Sequence, residues 1–118
     1  MASSGVSTRG MDGSELRDDP VLRRFRAAVQ EVDGTRLERV VLYGSRARGN
    51  GLPDSDYDFA VLLRGPGDLS AELDRLADIG TDILYEIGKV VYAMPFRAGS
   101  LQSRTPLMLE VRLDGIEI

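Results

Sequence analysis

The sequence predicts an α+β domain in which a small mixed β-sheet has helices packed on it. Two long segments repeat apolar residues at helical spacing, three short segments are apolar and rich in β-branched residues, and Gly, Pro or Asp marks each junction. The resulting order of helix, strand, strand, helix, strand and helix is typical of an α+β layout. We expect residues 18–118 to form this domain and residues 1–17, rich in Ser and Gly, to form a flexible tail.

One helix and two strands are predicted in the first half. The helix begins at Pro20, with Asp19 as its N-cap, and ends before Gly34. Residues 37–43 and 56–63 are apolar and rich in β-branched residues, so they are predicted strands. The apolar face predicted for the helix consists of Leu22, Phe25, Val29 and Val32.

A long helix follows the second strand, with Asp68 as its N-cap and Gly88 as its stop. Residues 65–70 resemble G-x-G-x-x-G only faintly, because Ser70 stands at the last position and Pro66 stiffens the turn. We interpret them as a tight turn before the helix. The predicted apolar face of this helix consists of Leu69, Leu73, Leu76, Ile83 and Ile87.

Three short elements are predicted in the last thirty residues. Residues 89–94 form a third strand, which Pro95 is expected to end. A short helix opens at Thr105-Pro106 and closes at Gly115. Residues 116–118 form a last extended piece.

The composition excludes several kinds of chemistry. The 118 residues include no cysteine and no histidine, so disulfides, thiolate or imidazole metal sites and catalysis by Cys/His or Ser/His pairs are excluded. Any metal must then be a hard cation held by oxygen, such as Mg²⁺. The net charge of −4 argues weakly against direct binding of nucleic acid. No apolar run is long enough for a membrane span or a signal peptide, so we expect a cytoplasmic protein. Whether Met1 or Met11 is the natural start, and whether the chain forms a homo-oligomer, stay open.

Two carboxylates stand at the head of the second strand. Asp56 and Asp58 are two residues apart, so on a strand they point to the same face with Cα atoms roughly 6.6 Å apart. Like charges at this spacing repel unless a cation or water lies between them. A lone D-x-D is more often turn chemistry, and we interpret Asp54 in that way. The residues before the strand favour a functional role for Asp56 and Asp58 instead.

Residues that suit a phosphate precede the two acids. Gly44 directly after a strand lets backbone N–H groups approach an anion closely, and Ser45 adds a hydroxyl. Arg46 and Arg48 offer guanidinium groups to a triphosphate. Phosphate-binding and metal-binding candidates therefore fall within fifteen residues, from Gly44 to Asp58.

The stretch GSRARGNGLPDSDYD, residues 44–58, resembles the signature of the DNA polymerase β-type nucleotidyltransferase superfamily. The small chain and the ending TPLMLEVRLDGIEI are most similar to its minimal nucleotidyltransferases (MNT), and the resemblance covers about residues 20–118. It implies that Gly44 and Ser45 hold the phosphates of a nucleoside triphosphate and that Asp56 and Asp58 are catalytic and bind Mg²⁺. The implied reaction is attack of an acceptor hydroxyl on the α-phosphate, with release of pyrophosphate.

This resemblance also implies a partner. MNT proteins commonly act as antitoxins of HEPN-type toxins, so AMP transfer from ATP to a hydroxyl of such a toxin is the expected function. The sequence departs from the family at residues 89–94, where a third carboxylate is expected and no acid occurs. Asp82 and Glu86, on the preceding helix, are interpreted as a solvated face. The alternative is therefore a catalytically degenerate module that binds nucleotide or blocks a toxin. An aminoglycoside-modifying role is weaker still, because no second helical domain is present to hold the drug.

Overall fold

The structure, a computed structural model, describes residues 18–48 and 56–118. The predicted tail, residues 1–17, lies outside the described residues. The main elements alternate between helices and strands, in agreement with the predicted α+β class. They are α1 (Pro20–Asp33), β1 (Leu37–Tyr43), α2 (Ser45–Arg48), β2 (Tyr57–Leu63), α3 (Leu69–Ile87), β3 (Val91–Arg97), α4 (Pro106–Asp114) and β4 (Ile116–Glu117). Among the helices of the described residues, none has the length and apolar content needed to cross a bilayer.

The four strands form one mixed sheet in the order β3-β2-β1-β4. β1 is antiparallel to both β2 and β4, whereas β2 and β3 run parallel. The register places Tyr43 of β1 and Tyr92 of β3 on either side of Asp58. Asp58 therefore lies near one end of a central strand, between two tyrosines.

Side-chain caps fix where the helices begin, as the sequence predicts. The carboxylate of Asp19 accepts a hydrogen bond from the Val21 N–H at 2.8 Å, and Asp68 accepts one from the Ser70 N–H at 2.9 Å. Thr105 caps α4 in the same way. Gly88 ends α3 in the left-handed conformation, with φ of +83°.

Helices α1 and α3 cover one face of the sheet, called here the α1/α3 face. Phe25 of α1 stacks on Phe59 of β2, with ring centroids 4.1 Å apart, and both side chains are fully buried. Burial of each such ring stabilises the fold by about 1.5–3 kcal/mol. The cluster continues through alternate residues of the two central strands and through α3, including Val40, Leu42, Val61, Leu63, Leu76 and Ile83.

The opposite face, called here the α4 face, has a smaller apolar cluster. Val41, Ala60 and Leu62 point to this side, and Val111 of α4 packs against them. Side chains alternate between the two faces of a strand, so Asp58 shares this side with Ala60. Asp58 is half-buried there. The short helix α4 thus lies over the same face as the predicted metal ligand.

Strand β3 passes through Pro95, contrary to the prediction that Pro95 ends it. The C=O of Val90 accepts a hydrogen bond from the N–H of Tyr57, and the N–H of Ala98 donates one to the C=O of Leu63. The backbone N–H and C=O groups of even-numbered residues in β3 therefore point towards β2. Pro95 therefore has its nitrogen on the open edge of the sheet, where no ladder hydrogen bond is lost. The sequence signal of Pro95 marks an edge strand, not a strand end.

The apolar faces of α1 and α3 differ slightly from the predicted ones. Val32 and Leu73 are exposed, at 46% and 40%. Glu72 is instead fully buried in α3, and Asp33 of α1 is buried beside it. Arg36 lies 3.7 Å from the Glu72 carboxylate, and Arg75 donates a hydrogen bond to it.

Asp33 and Glu72 are neighbouring buried carboxyl groups, and each affects the pKa of the other. Burial, followed by the hydrogen bond to Glu72 and the negative charge of Glu72, raises the pKa of Asp33 from 3.8 to about 7. Burial opposes ionisation of Glu72 as well, but hydrogen bonds from Asp33 and Arg75 lower its pKa overall. Asp33 is therefore protonated in the folded protein below about pH 7.

This pair predicts a pH dependence of stability. The folded pKa of Asp33 exceeds its unfolded value, so the contribution of Asp33 to stability is complete below about pH 4 and is lost as the pH rises through about 7. Asn in place of Asp33 mimics the protonated acid and removes this loss. The stability of D33N relative to wild type should therefore rise by about 2 kcal/mol between pH 5 and pH 8. Urea unfolding at both pH values measures the difference, with exposed Asp78→Asn as the control; a pH-independent difference would contradict the raised pKa of Asp33.

Candidate functional site

Gly44 ends β1 with its backbone directly against Asp58. Its φ of +80° is a left-handed conformation that other residues adopt only with strain. A Cβ at this position would lie 2.8 Å from Asp58 Oδ2, which is too close for a real contact. Glycine is therefore required here both by conformation and by the carboxylate, and the predicted phosphate loop and metal ligand adjoin each other.

Ser45 begins the single turn of α2, and both Ser45 and Arg46 are half-buried. The N–H of Arg48 closes this turn by donating to the Gly44 C=O at 3.1 Å. The first amides of such a turn lack intrahelical acceptors, so they are the groups that could bind a phosphate oxygen. Ser45 follows the end of β1, and Asp58 lies near the start of β2, which is the antiparallel neighbour of β1.

Asp58 lies in a region of concentrated negative charge. Burial raises its pKa, and the negative charges of Asp56 and Glu110 raise it further. The pKa of Tyr43 is raised by burial and then by the charges of Asp58 and Glu110. Asp56 is exposed, one residue before β2 begins. Asp56 and Glu110 of α4 are therefore each close enough to Asp58 for their charges to disfavour its ionised form.

The donor set fits a hard divalent cation. Such a cation would neutralise the repulsion between Asp56 and Asp58, and carboxylate oxygens are its preferred ligands. Within residues 18–48 and 56–118, no three acidic side chains are grouped closely enough to form a ready-made metal site. Mg²⁺ usually takes one or two carboxylates and completes its shell with waters and substrate phosphates, so two aspartates suffice.

Arg48 faces the acids of α4. Its Nη1 lies 3.4 Å from Glu110 Oε2 and 3.7 Å from Asp114 Oδ2. Glu110 and Asp114 are one helical turn apart, so both reach the same guanidinium. Arg48 therefore connects the turn after Gly44 to α4, on the side of the sheet that bears Asp58.

Arg46 lies elsewhere. Its guanidinium carbon is 4.0 Å from the centroid of the Tyr57 ring, a cation–π contact. Tyr57 belongs to the core of the α1/α3 face, and its hydroxyl donates to Asp19 at 2.7 Å. The structure thus places Arg46 against Tyr57 and Arg48 against the acids of α4, whereas Gly44 lies directly against Asp58.

The acids of α3 are also far from this arrangement. Arg24 of α1 donates two hydrogen bonds to Glu86, at 2.9 and 3.0 Å, and Asp82 is exposed on the same helix. Both lie on the helix that covers the α1/α3 face, as their interpretation as a solvated helix face predicts. On β3 the neighbour of Asp58 is Tyr92, which is 58% exposed.

Glu110 is the acid near Asp58 that sequence reasoning missed. Its position depends on how α4 packs across β1, through contacts between residues far apart in the sequence. The only local signal is the spacing of Glu110 and Asp114, which places two acids on one side of a short helix.

Comparison with known proteins shows the family. The sequence matches the family model described as "Nucleotidyltransferase domain" over residues 22–103, more than half of the chain. The chain belongs to the nucleotidyltransferase domain family. A comparison with curated proteins finds no match.

Solved structures share the nucleotidyltransferase fold. A toxin-antitoxin crystal structure with AMP-PNP has a TM-score of 0.57 at 19% identity, covering 80% of this chain and 69% of that one. A mutant of the toxin-antitoxin MntA-HpeT gives 0.55 at 17% identity, with 78% and 68% covered. A protein from Sulfolobus solfataricus named as a nucleotidyltransferase gives 0.53 at 22% identity, with 82% and 80% covered. At these identities the likeness shows the fold.

Proposed function

We propose that this nucleotidyltransferase domain uses Mg²⁺ to transfer AMP from ATP to a hydroxyl group of a partner protein, a HEPN-type toxin. The observation that carries the proposal is the contact between Gly44 and Asp58, which joins a phosphate-approachable turn to a carboxylate in an acidic cluster. Similar folds occur in toxin-antitoxin structures, one of them with AMP-PNP, which supports a nucleotide as substrate and a toxin as partner.

Each residue of the proposed site has one task. The backbone at Gly44 and the first amides of α2 bind phosphate oxygens, with the Ser45 hydroxyl as a further donor. Arg48 contributes positive charge to the triphosphate. Asp56 and Asp58 hold Mg²⁺, which when bound neutralises phosphate charge and orients the triphosphate. Arg46 supports the turn through its contact with Tyr57 and is not assigned to the nucleotide.

The proposed reaction is a substitution at the α-phosphorus. The acceptor oxygen forms a bond to this phosphorus and loses its proton to solvent. The bond from the α-phosphorus to the oxygen that bridges it to the β-phosphate breaks, and pyrophosphate leaves. Tyr43 and Tyr92 border Asp58 on both sides within the sheet.

Labelled ATP tests this reaction. The protein is incubated with Mg²⁺, a candidate HEPN-type toxin and ATP labelled at either the α- or the γ-phosphate. The α-label should become bound to the toxin in proportion to pyrophosphate release, and the γ-label should not. Transfer of the γ-label would instead indicate a kinase and contradict the proposal. EDTA should prevent transfer in either case, so a metal-free control accompanies each reaction.

A second candidate is a degenerate module that binds nucleotide without transferring it. The observation that favours it is Tyr92, which stands beside Asp58 where the described part of β3 has no acid. Calorimetry would then detect Mg-ATP binding, with no label transferred to any partner. Detectable turnover removes this candidate.

A further inference from the structure

Tyr92 is an exposed tyrosine that stands next to Asp58 on the α4 face. The two residues are paired in register on the parallel strands β3 and β2, so their backbones lie about 4.8 Å apart. Val91 and Ala93 pack on the core of the α1/α3 face, whereas Phe96 packs on the cluster of the α4 face. Side chains alternate along a strand, so Tyr92 projects from the α4 face, as Asp58 does.

The other three tyrosines of the chain also lie within the described residues, and they differ from Tyr92 in burial or in position. Tyr57 is buried in the core of the α1/α3 face. Tyr85 is 84% exposed, but on α3, the helix that covers the α1/α3 face. Tyr43 borders Asp58 on β1 and is half-buried. Tyr92, at 58%, is the exposed phenol beside the proposed metal ligand.

The geometry of phosphoryl substitution favours the side of Asp58 on which Tyr92 lies. An acceptor oxygen attacks phosphorus roughly in line with the leaving group and from the opposite side. In the proposed site the leaving pyrophosphate is bound at Gly44 and Ser45, which follow β1. Strand β3 lies on the other side of β2 from β1. A hydroxyl carried by β3 therefore approaches the α-phosphorus from the required direction, whereas Tyr43 lies on the side of the leaving group.

The length of the tyrosine side chain suits the same approach. The carboxylate of Asp58 is one methylene away from the backbone, whereas an aromatic ring separates the Tyr92 hydroxyl from its backbone. The hydroxyl therefore extends beyond the carboxylate, towards a substrate held above it. More than half of the Tyr92 side chain is accessible, so this approach requires no unpacking of the core.

We propose that Tyr92 is itself an acceptor, whose hydroxyl receives AMP from ATP bound on the same chain. The proposal rests on the proposed function. The phenol oxygen forms a bond to the α-phosphorus, and its proton passes to solvent. The bond from the α-phosphorus to the oxygen that bridges it to the β-phosphate breaks, and pyrophosphate leaves. The product is an ester of AMP with tyrosine, and ATP is the only co-reactant consumed.

Incubation of the protein alone with Mg²⁺ and α-labelled ATP tests this acceptor. The wild type should become labelled, and peptide mass spectrometry should find AMP on Tyr92. Tyr92→Phe removes only the hydroxyl and should lose the label, whereas the matched control Tyr85→Phe removes an exposed hydroxyl of α3 and should keep it. Dilution of the protein at constant ATP should leave the labelled fraction at a given time unchanged, because the donor site and the acceptor belong to one chain.

Each other outcome decides a separate point. Label on Y92F equal to that on wild type, or AMP on another residue in place of Tyr92, overturns the proposal. A labelled fraction that falls on dilution shows that a second chain supplies the hydroxyl and overturns transfer within one chain.

A parallel reaction that contains the candidate toxin separates this inference from the proposed function. Label on the toxin with none on the protein itself overturns the role of Tyr92 and leaves the proposed function intact. Label on neither protein contradicts the proposed function. Thermal unfolding of Y92F checks that a lost label does not come from unfolding, and the modified peptide of the wild type decides the point if this variant does not fold.

Discussion

Asp58→Asn should reduce nucleotidyl transfer by at least about 100-fold while leaving the fold as stable as wild type or more stable. The loss of activity follows because the amide has no charge with which to hold Mg²⁺ beside the triphosphate. The stability follows from the raised pKa of Asp58, which shows that burial and the charges of Asp56 and Glu110 disfavour its ionised form in the folded protein. Removing the charge relieves that repulsion.

Transfer assays and thermal unfolding at pH 7.5 test both halves of this prediction together. Asp78→Asn is the matched control, since Asp78 is exposed on α3 and faces away from Asp58. It should retain wild-type transfer. If D58N lost activity only together with a large loss of stability, Asp58 would be a structural residue, and if D58N kept its activity, the site would lie elsewhere.

Gly44→Ala should abolish nucleotide binding, which is the second large effect. Alanine at a φ of +80° costs roughly 1 kcal/mol in backbone strain. The added methyl group would in addition stand 2.8 Å from Asp58 Oδ2, so the carboxylate or the turn before Ser45 must move. Either movement separates the phosphate-binding amides from the metal ligand.

Gly88 provides the matched control for Gly44. Its φ of +83° imposes the same backbone strain, but nothing lies within 4 Å of an added Cβ. G88A should therefore lose a similar amount of stability by backbone strain and keep Mg-ATP binding, as measured by calorimetry. Equal binding by G44A and G88A would show that the contact between Gly44 and Asp58 has no part in the site.

The sequence predicted most of the fold because its signals are local. Asp19, Asp68 and Thr105 cap helices through hydrogen bonds to residues two or three positions away. The pairing of Asp56 with Asp58 follows from the two-residue period of a strand. The prediction that Pro95 ends β3 is wrong because the effect of a proline depends on which strand lies at the edge of the sheet, and no local signal gives that.

The two arginines after Gly44 show a second reason why sequence alone does not place every side chain. Arg46 and Arg48 are two positions apart, and the sequence predicts that both bind the phosphates. On the single helical turn of α2, however, residues two apart point roughly 200° away from each other. One arginine therefore reaches Tyr57 on the α1/α3 face and the other reaches Glu110 on the α4 face. Glu110 itself is brought to Asp58 by tertiary packing alone.

Paramagnetic mapping tests the central claim most directly, namely that Mg-ATP binds on the α4 face at Gly44 and Asp58. Mn²⁺ with AMP-PNP is added to isotopically labelled protein, and the broadening of backbone amide signals is recorded by NMR. The account predicts that the signals of Gly44, Ser45 and Asp58 broaden first and that the signal of exposed Tyr85 on α3 does not. Broadening centred on the outer surface of α3, with Gly44 and Asp58 unaffected, would contradict it.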